Sequence, residues 1–218
     1  EAFDSAMVQV LDVVAPQHRD AFAAVLAADW QPGDGPTDGT VWGALSVAVW
    51  AVRGAATFED AVVRAVDCGG DADTVAAIAG GLAGARWGAG SIPCRWTTYV
   101  PGSIADRHYR LADLQDLARR LVGAVPVPLR EDEPQLGPTE IRPGVWAANL
   151  TGARTVPTDT AVVSLCRPKD AFVDHPVRRE VYLVDQEAPH NPALAAAVDD
   201  ALGAIDAFRT EGRDVVIH

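Results

Sequence analysis

A short stretch near the middle of this chain is rich in proline and charged residues, and it limits what the chain can fold into. Residues 125–138 contain four prolines around a charged run at residues 130–133. Because proline lacks a backbone N–H and its ring clashes inside a helix, such a run fits neither a helix interior nor a central strand. We therefore predict a domain over residues 1–122, a linker over 123–139 and a second domain over 140–218.

The first domain has the sequence pattern of successive helices. Thr57 and Asp60 have the spacing of a capping box, so one helix should begin at Phe58, and Gly69 with Gly70 should provide the turn after it. Glycines within the following segment weaken its helix propensity, but glycine and alanine on one face allow a second helix to approach closely, so we expect that helix to be central. The predicted helices span residues 3–14, 19–30, 41–52, 58–66, 74–87 and 111–121.

The second domain has a mixed pattern. Short apolar, β-branched runs predict strands over residues 144–150, 161–165, 180–184 and 213–217, and a long helix is predicted over 192–209. Strands joined through a helical crossover indicate an α/β domain. The predicted fold is thus a mainly α-helical amino-terminal part followed by a smaller, incomplete α/β domain.

Composition and charge exclude several classes of function. A net charge of −12 without a basic patch argues against binding to nucleic acid through its phosphates. The longest apolar run, residues 41–52, is too short to cross a bilayer, and the amino end lacks the pattern of a signal peptide. Three scattered cysteines with no C-x-x-C pair fit a reducing compartment. We expect a cytoplasmic protein without a membrane partner.

The residues most suited to chemistry follow the predicted glycine turn. Asp71, Asp73 and Thr74 place two carboxylates and a hydroxyl at the start of a helix, and such oxygens are ligands that Mg²⁺ prefers. The helix dipole favours the ionised carboxylates, and a divalent cation would relieve their mutual repulsion. The alternative is that both aspartates only cap the helix.

These residues also carry a family resemblance over residues 1–100. Residues 69–88, followed by Ile-Pro-Cys-Arg-Trp at 92–96, resemble the carboxy-terminal signature of the ADP-ribosylglycohydrolase family, and so do residues 39–42 and 58–61. The resemblance implies an all-helical fold and two Mg²⁺ ions that hold the ribose of the substrate. It implies metal ligation by Asp71, Asp73 and Thr74, and it places Gly69 and Gly70 in the substrate-binding turn beside them. The family's amino-terminal half, with the remaining ligands, is absent from these residues.

Residues 140–218 resemble, more weakly, the amino-terminal part of a dual-specificity or tyrosine phosphatase-like domain. The resemblance implies that His218 precedes a Cys-x5-Arg loop, which the 218 residues do not include. It also implies that Asp185 is the general acid. The alternative, that Asp185 is an ordinary turn residue at the end of a strand, is favoured equally. Cys166 ends an apolar strand, and we expect it to be a buried small hydrophobe rather than a nucleophile.

Together these features predict a fragment of a two-domain enzyme. The parent protein would use Mg²⁺ to hydrolyse the glycosidic bond between ADP-ribose and a modified protein or small molecule, while the fragment alone would be inactive. One alternative is a phosphatase, acting on a phosphoprotein, that carries a non-catalytic ADP-ribose-binding module. The other is a non-catalytic binding protein.

Overall fold

The computed structural model describes residues 2–100, 102–124, 133–168, 171–183 and 193–218. They form two compact units, residues 1–92 and 93–218. The boundary therefore differs from the predicted limit at residue 122. Residues 125–132 of the predicted linker, and Asp185, lie outside the described residues.

The first unit is helical. Its helices are α1 (Ala2–Val13), α2 (Arg19–Leu26), α3 (Val41–Gly54), α4 (Phe58–Asp67) and α5 (Ala72–Trp87). Helix α4 begins where the capping box predicts, since the Thr57 hydroxyl accepts a hydrogen bond from Asp60 N at 3.1 Å. Among the described helices, none is long and apolar enough to cross a membrane.

Helix α5 packs on α3 and α4 through one narrow face. Val75, Ala79 and Ala83 recur every four residues and are fully buried, and α5 contacts both of these helices. The glycines of α5 lie elsewhere: a Cβ added at Gly80 or Gly84 would meet no atom within 4 Å. Within the described residues the predicted close approach therefore uses the alanines of this face, whereas the glycines take no part in it.

The second unit combines a mixed sheet with helices. Its helices are α6 (Cys94–Thr97), α7 (Leu111–Leu121), α8 (Leu150–Ala153) and α9 (Leu194–Thr210), and its strands are β1 (Gly102–Ile104), β2 (Arg107–Tyr109), β3 (Thr139–Arg142), β4 (Val145–Ala147), β5 (Ala161–Ser164), β6 (Arg178–Glu180) and β7 (Val215–Ile217). Strands β1 and β2 form a hairpin, and the other described strands form one sheet in the order β3-β4-β7-β5-β6. Only the β3–β4 pairing in that sheet is antiparallel.

Both faces of the sheet are covered, as a largely parallel sheet requires. Val163 and Val215 pack with α9 on one face, whereas Val162 and Val216 pack with α8 and Phe172 on the other. Because adjacent residues of a strand point to opposite faces, the Val-Val pairs of β5 and β7 supply both cores. The predicted α/β architecture of this part is therefore observed.

Candidate metal and substrate site

The glycine turn between α4 and α5 forms as the sequence predicts. Gly69 and Gly70 have φ of 71° and 69°, a left-handed conformation that favours glycine. A Cβ at Gly70 would overlap the Thr37 carbonyl oxygen, whereas a Cβ at Gly69 would meet nothing within 4 Å. Gly70 is thus required for close packing, while Gly69 leaves an open turn at the start of α5.

Asp71, Asp73 and Thr74 lie at the start of α5, which begins at Ala72, two residues earlier than predicted. Asp71 occupies the N-cap position but accepts no capping hydrogen bond. The pKa of Asp73 is lowered, first by its hydrogen-bonding interaction with the Asp71 side chain and second by a hydrogen bond from Thr74 N at 2.9 Å. The two carboxyl groups therefore lie within hydrogen-bonding reach of each other.

A loop before α3 lies against Asp71, since a Cβ at Gly39 would overlap Asp71 Oδ2. Asp38 accepts hydrogen bonds from Thr40 Oγ1 at 2.5 Å and Thr40 N at 3.1 Å, and these bonds lower the pKa of Asp38. Thr40 Oγ1 in turn accepts from Gly43 N at 3.3 Å and caps α3. Sequence reasoning placed residues 39–42 in the family resemblance, but no pattern in the sequence showed that this loop touches Asp71.

The donor set fits a hard cation but is only part of a coordination sphere. Two carboxylates and the Thr74 hydroxyl all offer oxygen ligands, which suits Mg²⁺. Among the described residues, no three His, Cys, Asp or Glu side chains come together as a metal-binding group. Water or further protein ligands would have to complete the sphere.

A cavity of about 380 Å³ lies elsewhere in the first unit, beside the loop that leads into α3. Trp30 and Trp42 line it, and Trp42 is 37% exposed with its ring 5.0 Å from that of Phe22 in an edge-to-face arrangement. Trp42 belongs to the apolar helix α3, but it is exposed rather than part of the core. Its exposure makes it available to a ligand.

The second unit has a polar cluster at the carboxyl ends of β5 and β7. His218 Nε2 lies 2.7 Å from Ser164 Oγ, and His218 Nδ1 lies 3.6 Å from Cys166 Sγ. Burial, followed by the charge of Arg154, lowers the pKa of His218 to about 4. Cys166 was expected to be a buried small hydrophobe, but it is only partly buried and contacts His218.

The comparisons with known proteins concern the first part of the chain. The ADP-ribosylglycohydrolase family model matches residues 1–129, beyond the predicted limit at residue 100. The match lies in the amino-terminal part of this chain, and its assignment to the carboxy-terminal half of the family stays a prediction. It ends before β3, so the phosphatase resemblance of residues 140–218 also stays a prediction.

Two curated relatives share part of this region. An ADP-ribosylarginine hydrolase of Pseudomonas putida (strain GB-1) is 38% identical over 90 residues, covering 41% of this chain and 22% of the relative. An ADP-ribosylarginine hydrolase of Serratia proteamaculans (strain 568) is 43% identical over 60 residues, covering 28% of this chain and 16% of the relative. The chain thus spans about a fifth of the length of these relatives. No solved structure matches.

Proposed function

Because the chain belongs to the ADP-ribosylglycohydrolase family, we propose that the protein carrying it is a hydrolase that releases ADP-ribose from a modified protein or small molecule. The names of the two relatives make an arginine-linked ADP-ribosyl group the first substrate to test. Arginine-linked ADP-ribose is bound through an N-glycosidic bond, so the reaction is attack of water on the anomeric carbon.

The observation that carries this proposal is the paired carboxyl groups of Asp71 and Asp73. Their carboxyl groups lie close to each other at an open helix N-terminus, and Asp71 is not used as a cap. A divalent cation would relieve the repulsion between the two carboxylates. The structural alternative, in which Asp71 only caps α5, lacks the hydrogen bond that capping requires.

Each residue of the site has a part in the proposed reaction. Asp71, Asp73 and Thr74 would hold Mg²⁺, with two ions in the complete family site. When bound, Mg²⁺ supplies Lewis-acid chemistry, orienting ribose hydroxyls and activating water. The turn of Gly69 and Gly70, which is open at Gly69, would admit the substrate beside these ligands, where the helix N-terminus favours an anionic group.

The test is release of ADP-ribose from an ADP-ribosylated arginine substrate by the full-length protein. Asp73→Ala should reduce the Mg²⁺-dependent rate by at least a hundredfold, because it removes half of the carboxylate pair. Asp67→Ala is the matched control, since Asp67 is an exposed aspartate at the end of α4. Full turnover by the Asp73→Ala protein, or turnover that survives removal of divalent cations, would overturn the proposal.

A second activity is proposed for the second unit, as a phosphatase-like domain acting on a phosphoprotein. Its support is the position of His218, which directly follows the central strand β7. Ligands of open α/β sheets bind at the carboxyl ends of the parallel strands, so a loop after His218 would begin at a favourable place. Asp185 remains its proposed general acid.

The same preparation separates these proposals from a binding role. Hydrolysis of a phosphate monoester without release of ADP-ribose would favour a phosphatase with an ADP-ribose-binding module. ADP-ribose binding with neither reaction would favour a non-catalytic binding protein.

A further inference from the structure

Gly39 lies directly against the side chain of Asp71. A Cβ at Gly39 would overlap Asp71 Oδ2 and would lie 2.8 Å from Asp71 Cγ and 3.3 Å from its Cβ. The Asp71 side chain therefore packs along its length against the backbone of Gly39. Since Asp71 accepts no capping hydrogen bond, this packing and the Asp73 side chain are its described constraints.

The loop around Gly39 is itself held in place. Asp38 binds both the backbone N–H and the hydroxyl of Thr40, and the Thr40 hydroxyl accepts from Gly43 N in the first turn of α3. The loop touches the turn before α5 at a second point, where the Thr37 carbonyl group fills the space beside Gly70. Gly39 thus presents a fixed surface to Asp71.

We propose that Gly39 is a positioning residue for Asp71: its lack of a side chain leaves the space that holds the Asp71 carboxylate toward Asp73. The inference rests on the proposed function, in which this pair binds a divalent cation. The loop before α3 would thereby position a metal ligand that lies at the start of α5.

The proposal predicts an effect on cation binding that is larger than the effect on folding. In Gly39→Ala the atoms that must move belong to the end of the Asp71 side chain rather than to backbone, so the fold can adapt by turning the carboxylate away. We expect the Mn²⁺ dissociation constant of the full-length protein to rise at least tenfold, measured by paramagnetic resonance of free Mn²⁺. Mn²⁺ is a suitable probe because it accepts the same oxygen ligands as Mg²⁺.

Gly35→Ala is the matched control in the same segment. A Cβ at Gly35 would lie 3.8 Å from Trp30 Nε1, an ordinary contact, so this variant should bind Mn²⁺ as the parent does. Thermal unfolding of both variants checks that each is folded. The rate of ADP-ribose release by Gly39→Ala should recover at high Mn²⁺ concentration, which a general loss of structure would not produce.

Should Gly39→Ala fail to fold, a second pair of variants tests the same loop without adding bulk. Thr40→Val removes the hydroxyl that bonds Asp38 and Gly43, whereas Thr40→Ser keeps it. Weaker Mn²⁺ binding by the valine variant alone supports the proposal, and equal binding by both overturns it.

Asp73→Ala distinguishes failure of this inference from failure of the proposed function. If Asp73→Ala and the parent bind Mn²⁺ equally, the metal site is wrong, and the inference falls with it. If Asp73→Ala abolishes binding while Gly39→Ala equals the parent, only the positioning role of Gly39 is wrong.

Discussion

At the residue scale, the contact between Asp71 and Asp73 depends on where the helix begins. Residues two apart on a regular helix do not face each other. Asp71 lies at the N-cap with φ −84° and ψ 68°, outside the helical region, and this conformation lets its carboxyl group reach Asp73. The sequence predicted the donor types, but only the backbone conformation at Asp71 brings them together.

The two glycines before Asp71 should respond differently to substitution. Both have positive φ, so alanine at either position is strained by about 1–2 kcal/mol. Gly70→Ala would also overlap the Thr37 carbonyl oxygen, which is backbone and moves only with its loop. We expect Gly70→Ala to destabilise the first unit by at least about 2 kcal/mol more than Gly69→Ala, because overpacking adds to strain.

Urea unfolding followed by tryptophan fluorescence measures this difference, with Gly69→Ala as the control for strain alone. Equal destabilisation by the two variants would show that the loop accommodates the added methyl group without cost, and it would contradict this prediction.

Contacts of this kind limit what the sequence reveals at this scale. The sequence of Gly69 and Gly70 indicates a turn, because glycine itself favours the positive φ that the turn requires. Gly39 also has a reason to be glycine, but the reason is an atom of Asp71, far along the chain. No local spacing encodes such a contact.

At the element scale, helices were predicted better than strands. The Thr57 cap fixed the start of α4, and α7 occupies the predicted residues, 111–121. Strands β1 and β2 were not predicted because their short, largely exposed segments lack the apolar run that marks the other strands. Strand β6 lies at Arg178–Glu180 rather than at 180–184, since hydrogen bonds to β5 select a charged segment that has no strand pattern.

Among the described strands β6 is one edge of the sheet, and side chains contact its backbone there. The Tyr99 hydroxyl accepts from Arg178 N at 3.1 Å and donates to Arg178 O at 2.8 Å, while Thr98 Oγ1 accepts from Glu180 N at 2.9 Å. The unpaired backbone groups of an exposed edge can pair with a strand of another chain, so these contacts protect the sheet from such pairing.

Removing the Tyr99 hydroxyl should therefore expose this edge. We expect Tyr99→Phe to cost about 1–3 kcal/mol, since two backbone hydrogen bonds are lost and water can replace part of them at a half-exposed site. Hydrogen exchange at the Arg178 amide should become faster. Tyr109→Phe in the neighbouring hairpin is the control, and the same exchange rate in both variants would contradict a protective role for Tyr99.

At the scale of the whole molecule, the family match and the compact units divide the chain at different places. The match continues to residue 129, but residues 93–121 pack within the second unit. Cys94 N donates to Asp200 on α9 at 2.7 Å, and Arg167 pairs with Asp116 on α7 at 3.0 Å. Proline content marks a change of composition well, but it carries no information about such partners across many residues.

The segment before the proline-rich stretch should consequently be needed by the sheet that follows it. A protein of residues 93–218 retains α6, α7 and the side chains that cover β6, whereas residues 123–218 lose the Tyr99 and Thr98 contacts and the partner of Asp200. We expect the longer protein to be monomeric with a cooperative unfolding transition. The shorter one should associate through its uncovered edge, because unpaired N–H and C=O groups along a strand act as a template for another strand.

Size-exclusion chromatography and thermal unfolding of the two proteins measure this difference. A stable monomer of residues 123–218 would place the functional boundary at the prolines after all, and residues 93–121 would then belong with the helical unit that the family match describes.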